Sequence, residues 1–85
     1  PAARVMSRTP SILVVDDDPN VVAWLVEALQ EEGFAPEGEV SAHAALARLA
    51  RRRFDVVISD VEMPELRGTE LLRAILERDP QQMVL

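Results

Sequence analysis

Two apolar runs in this chain end in carboxylates. Ile12-Leu13-Val14-Val15 leads into Asp16-Asp17-Asp18, and Val56-Val57-Ile58-Ser59 leads into Asp60. Acidic side chains gathered at one place repel one another unless a cation lies among them. A hard divalent ion such as magnesium takes oxygen ligands and keeps several waters, so two or three carboxylates suffice to hold it. One carboxylate of such a group can also attack phosphorus, because the metal offsets the repulsion between nucleophile and phosphoryl oxygens. The chemistry these residues suit is phosphoryl transfer to an aspartate.

Such chemistry needs elements that bring the acids together. Each apolar run has the length and β-branched content of a buried strand, and helical patterns lie between them. Strands joined by helices form parallel sheets, whose strands end at one edge. Open α/β folds bind their ligands at that edge. The first strand spans Ser11 to Val15. Asp18 then reads as a helix cap with Pro19 at the first helical position. Val22, Leu25, Val26 and Leu29 follow at helical spacing with Val21 beside them, and Gly33 is the stop.

Phe34 to Val40 holds Pro36 and Gly38, so any strand here is expected at a sheet edge. Ser41 can cap a second helix with Ala45, Leu46 and Leu49 facing inward. Arg51-Arg52-Arg53 falls at its C-terminal end, where cations suit the helix dipole. Phe54 to Ser59 is the third strand, and a loop from Val61 to Gly68 turns at Met63-Pro64. A third helix from about Thr69 to Arg78 is expected to bury Leu71, Leu72, Ile75 and Leu76. Asp79-Pro80 ends it, and Gln82 to Leu85 opens a fourth strand. Trp24 and Met83 are expected to pack, and His43 to lie at the surface. The order is β-α-β-α-β-α-β with right-handed crossovers.

At 85 residues the chain is at most one small domain, and 48% apolar with 28% charged residues fits a folded protein. A net charge of −6 argues against direct nucleic-acid or anionic-membrane binding. The absence of cysteine excludes disulfides and thiolate chemistry. No apolar stretch approaches the roughly 20 residues of a membrane span. Residues 1–10 lack the apolar core of a signal peptide and read as a loose leader in which Met6 is a candidate start. A cytoplasmic location is the expectation.

Ile12-Leu13-Val14-Val15-Asp16-Asp17-Asp18-Pro19-Asn20, then Asp55-Val56-Val57-Ile58-Ser59-Asp60-Val61-Glu62-Met63-Pro64, then Gly68, closely resembles the receiver domain of bacterial response regulators. The resemblance covers residues 11–85. It implies an α/β, flavodoxin-like, doubly wound parallel sheet of order 2-1-3-4-5, incomplete here, with the second strand at the edge. It implies Asp60 as phosphoacceptor, Asp17 as a direct Mg2+ ligand and Asp16 as its acidic companion, holding the metal through water. Glu62 would offer its backbone carbonyl to the metal, and Mn2+ could substitute for Mg2+. Arg67 departs from the Asp of many members and is read as a surface change. The family also uses a Ser or Thr after strand four and a Lys after strand five. Residues 1–85 contain neither, so the expectation is a receiver cut short within its fourth strand. The resemblance further implies a signalling switch rather than an enzyme, charged by a histidine kinase or phosphotransfer protein and acting on an output domain or downstream partner. Transcription regulation is among the expected outputs, and a homodimer is a further option.

Other readings compete. Asp16-Asp17-Asp18 could be a solvated helix cap alone, with Asp18 the best candidate for that role. Asp16, Asp18, Asn20 and Glu27 match positions of a calcium-binding EF-hand loop, but Val21 stands where that loop needs glycine. Asp16 and Asp18 also fit the nucleophile and general acid of a haloacid-dehalogenase-type phosphohydrolase. A degenerate receiver that serves only as an interaction module is a third class.

Overall fold

The structure, a computed structural model, describes residues 9–59 and 68–85, with side chains omitted for residues 68–71. Its elements are β1 (Ser11–Val15), α1 (Pro19–Glu31), β2 (Ala35–Glu39), α2 (Ala42–Arg51), β3 (Val56–Ser59), α3 (Gly68–Arg78) and β4 (Met83–Val84). The four strands form one sheet of order β2-β1-β3-β4 in which every pairing is parallel. This is the expected flavodoxin-like order as far as it runs. Of the loop expected at 61–68, residues 61–67 with the Met63-Pro64 turn lie outside the described residues, as does most of the leader, and Gly68 opens α3.

β1 is the centre of the sheet. All five of its residues are buried, because it pairs with β2 on one side and β3 on the other and is covered on both faces. Its alternating side chains divide between two layers. Leu13 and Val15 join Val57, Phe54, Ala42, Ala45 and Ile75 in a core beneath α2 and α3. Leu46, Leu49 and Val84 pack against that core. On the other face lies α1, whose Val22 and Val26 approach Gly38 of β2. Successive crossovers of one hand that run in opposite directions along a sheet must take opposite faces, and α1 and α2 do so.

Local chemistry sets the helix ends. The Asp18 side chain accepts the Asn20 amide at 2.9 Å and Pro19 begins α1, as the sequence anticipated. At the far end Gly33 has φ +93°, the Gly33 amide donates to the Gln30 carbonyl (3.1 Å), and the Phe34 amide donates to the Leu29 carbonyl (3.0 Å). These two bonds are a Schellman motif, which needs the left-handed residue that glycine supplies. Ser41 caps α2 by accepting the Ala44 amide at 3.2 Å.

The weak second strand is the edge, as Pro36 and Gly38 indicated. Gly38 does more than tolerate the edge. A Cβ there would overlap the Val22 Cγ1 methyl and come within 3.3 Å of Val26 Cγ2. The glycine lets α1 settle on the sheet. On the opposite face of β2, Glu37 and Glu39 both pair with Arg48, and Glu37 also pairs with Arg52. The Arg48 Nε donates to Glu39 at 2.7 Å.

Several expectations need correction. β3 begins at Val56; Phe54 precedes it as a buried core residue, and Asp55 turns back to clasp Ser11. The Asp55 carboxylate accepts the Ser11 amide (2.7 Å) and hydroxyl (3.2 Å), and the Asp55 amide donates to the Ser11 carbonyl (2.9 Å). The bonds add a side-chain junction to the main-chain link at the start of β3. Trp24 is 68% exposed and Met83 58% exposed, so neither packs as expected. Trp24 falls on the outer side of α1, and Met83 pairs with Val56 on the α1 face of the sheet, beyond the helix's cover. Leu72 is also exposed, because Ile75 takes the inward position of α3; the Leu71 side chain lies outside the described set. His43 is at the surface, as expected.

The arginine triplet is engaged in contacts more specific than a dipole effect. Arg52 pairs with Glu37 and lies over the Phe54 ring, 4.3 Å from its centre. Arg53 donates to Asp79 at 3.0 Å, which ties the end of α2 to the end of α3. Arg51 alone fits the simple picture of a cation in the last helical turn.

Two outcomes follow. Gly38→Ala should lower stability by about 1–3 kcal/mol through overpacking, read from urea unfolding; an unchanged midpoint would show that α1 can shift without cost. The second concerns Asp79, whose carboxyl is held below its ordinary value first by the Arg53 hydrogen bond and then by the Gln81 amide. A depressed folded value means this contribution is complete above the ordinary aspartate range and is lost as pH falls through the depressed value. In Arg53→Gln the Asp79 carboxyl should titrate higher by NMR, and an unmoved midpoint would deny the pair.

Candidate functional site

The acids sit where the sheet edge is best defined. Val15 of β1 is in register with Glu39 of β2 and with Ser59 of β3, so three strands finish at one level. The Asp16 amide extends the ladder by one bond, donating to the Glu39 carbonyl at 3.2 Å. β1 is also where the chain reverses its direction of travel along the sheet, going first to β2 and then across to β3. The crevice at such a switch point is the usual ligand site of an open α/β sheet.

Beyond β1 the three aspartates separate by role. Asp16 is half-buried, and its Oδ1 accepts the Asp18 amide at 2.9 Å. A carboxylate has two oxygens and about four acceptor sites, so this turn does not exhaust Asp16. Asp17 is exposed and takes part in further contacts of its own. Asp18 is the cap of α1. The expectation that Asp18 is the cap among the three therefore agrees with the structure.

Glu39 also ends its strand at this edge, yet its carboxylate is committed to Arg48 on the α2 face. The hydrogen bond to Glu39, above all, raises the Arg48 pKa against the opposing effect of burial, and Glu37 adds to the rise. Sequence reading missed this network. Its signal was present: two glutamates two apart on a strand face two arginines four apart on the next helix.

Asp60 follows Ser59 in the chain and lies outside the described residues, as does Glu62. Among the described residues no three acidic, histidine or cysteine side chains are grouped to hold a metal. Asp16 and Asp17 supply hard oxygen donors on a backbone that the ladder holds, which fits a divalent ion of the magnesium type as part of a larger ligand set. Histidine and cysteine ligands suited to softer metals do not occur at these positions.

Comparison with known proteins agrees with this geometry. The family described as "Response regulator receiver domain" matches residues 12–85. The chain belongs to that family.

Among individual receiver-containing relatives, the C4-dicarboxylate transport transcriptional regulatory protein DctD of Rhizobium meliloti is 39% identical over 75 residues, covering 88% of this chain and 16% of DctD. The chemotaxis protein CheY4 of Vibrio cholerae superposes with a TM-score of 0.87 at 30% identity, over 91% of this chain and 66% of CheY4. The response regulator TrrA of Thermotoga maritima, solved with Mg2+–BeF, gives 0.85 at 36% identity over 89% of this chain and 66% of TrrA. TrrA has also been solved in complex with the histidine kinase ThkA. The chain thus spans about two thirds of these receiver structures and a sixth of DctD. Receiver membership sets aside both the EF-hand and the dehalogenase-type readings. No helix of the described residues is long and apolar enough to cross a membrane.

If Asp18 is a cap rather than a ligand, Asp18→Ala should cost about 1 kcal/mol of stability while leaving Mg2+ affinity nearly intact. Thermal unfolding and a fluorescence or calorimetric Mg2+ titration read the two effects separately. A large loss of metal affinity with unchanged stability would reverse the assignment.

Proposed function

We propose that this receiver domain accepts a phosphoryl group on Asp60, with Asp16, Asp17, Asp60 and the Glu62 backbone carbonyl forming a Mg2+ site. The observation that carries the reading is the Val15–Ser59 pairing: in each of these paired strands, the next residue of the sequence is an aspartate. The solved TrrA complex with Mg2+–BeF, at 36% identity, supports the choice of ion. Mn2+ has similar demands for oxygen ligands and is a substitute.

A bound divalent cation supplies positive charge that lets an ionised carboxylate approach an anionic phosphoryl group. The chain's own groups do the rest. Asp16 and Asp17 would hold the cation at the end of β1, which the Val15–Ser59 pairing keeps in line with β3 and the Asp16–Glu39 ladder bond ties to β2. An oxygen of the Asp60 carboxylate attacks phosphorus in line. The O–P bond forms as the P–N bond of a donor phosphohistidine breaks, and the imidazole leaves with the electron pair. The product is an acyl phosphate on Asp60, which adds up to about one to two negative charges at the sheet edge.

The partners follow from the same chemistry. The donor is a histidine kinase or phosphotransfer protein, in keeping with the TrrA–ThkA complex. The recipient of the signal is an output domain or a separate protein; transcription regulation is one such output, in keeping with DctD's name. Direct nucleic-acid binding by this acidic domain is not part of the reading, and its place of action is the cytoplasm. The domain takes part in its own phosphorylation without turning over a separate substrate.

The test uses acetyl phosphate and Mg2+, with intact mass and peptide mapping to locate any adduct. A single phosphoryl adduct on Asp60, absent in Asp60→Asn, is expected. Asp17→Ala should weaken Mg2+ binding about tenfold or more and slow the reaction in proportion. An adduct on Asp16 would sink the assignment, and the absence of any adduct would favour a receiver that serves only for interaction.

A further inference from the structure

We propose that a cleft between the C-terminal ends of α2 and α3 binds a small organic anion with an apolar body. The cleft lies at the opposite end of the sheet from the acids and does not depend on their chemistry. Its volume is about 370 Å3, enough for a compact ligand by the usual scale of roughly 300–1,000 Å3 for small-molecule sites.

The floor is Leu46, Leu49 and Ile75. Ile75 belongs to the buried core and the two leucines pack against it, so the floor is held by the fold itself. The rim carries Arg52, Arg53 and Arg78, opposed by one carboxylate, Asp79. A local excess of cations stands out in a chain whose net charge is −6. Part of it serves the helix termini, whose carbonyls are partly negative.

The arginines nevertheless keep donors to spare. A guanidinium has five N–H groups. Arg53 uses Nη2 on Asp79 and Arg52 uses Nη1 on Glu37. Arg78 makes no ion pair among the described residues. A carboxylate or sulfonate at the rim would gain charge-assisted hydrogen bonds while its apolar body covers the leucines and Ile75. Neither half of the ligand alone satisfies both surfaces. A ligand seated there would bridge α2 and α3 alongside the Arg53–Asp79 pair, and so stabilise the fold by mass action.

The test titrates the 15N-labelled chain with 1-naphthaleneacetate, with acetate and with 1-naphthalenemethanol as charge-only and apolar-only controls. Saturable amide shifts confined to Leu46, Leu49, Ile75 and Gln82 are expected for 1-naphthaleneacetate, with each control at least about tenfold weaker. Arg78→Glu should lower affinity about tenfold or more by reversing the rim charge. Ala50→Phe, which fills the cleft from an exposed position on α2, should abolish binding without touching the charges. Circular dichroism checks that both variants fold. Shifts centred on Met83 and Leu85, equal binding of the neutral alcohol, no saturable shift at all, or unchanged affinity in either folded variant would overturn the proposal.

Discussion

β1 is paired on both edges and buried on both faces, and the rest of the molecule is arranged around that constraint. A strand with no exposed side can carry a polar residue only where a partner satisfies it, as Asp55 does for Ser11. Ile12 to Val15 are apolar, so ionic side chains begin only after Val15. Its two neighbours run parallel to it, and the crossovers that parallel strands need are supplied by α1 and α2. Parallel neighbours of a shared centre end together here, with Val15 in register with both Glu39 and Ser59. The position of Asp16 and Asp17 at that edge of the sheet is a consequence of this register rather than of any local motif by itself.

Electrostatics divides the domain into two ends. At the edge where β1 finishes, Asp16, Asp17 and Asp18 are near the N-terminus of α1, whose unpaired amides favour negative charge. Glu39 could have added to this crowd, but Arg48 holds it on the other face of β2. The cations collect at the far end, where α2 and α3 finish and their carbonyls favour positive charge. Half-exposed pairs of this kind contribute little to stability individually. Their effect is to decide which carboxylates stay available at the site and which are neutralised by a helix.

The two layers over the sheet are unequal. Beneath α2 and α3 the core is closed around Leu13, Val15 and Val57. On the other face α1 covers β1 and β2 closely, through Gly38, but leaves Val56 and Ile58 half-buried and Met83 and Leu85 exposed. α1 packs mainly on β2 and β1, and the chain spans about two thirds of the receiver structures it matches.

Much of this was determined by the sequence alone. Apolar runs, caps, Gly33 and the Pro36/Gly38 pair specify elements through short-range rules, and the ordered acidic motifs specify the receiver family. Those signals are legible because each depends on residues a few positions apart. Tertiary structure decided what depends on distant partners. It turned Asp55 onto Ser11 and matched Arg48 to Glu37 and Glu39. It also left Trp24, Leu72 and Met83 outside a core that their side chains alone would have joined. Helical spacing says which residues share a face, but not how far a neighbouring layer reaches across it. That reach is set by side-chain volumes meeting in space, as the methyls of Val22 and Val26 do above Gly38.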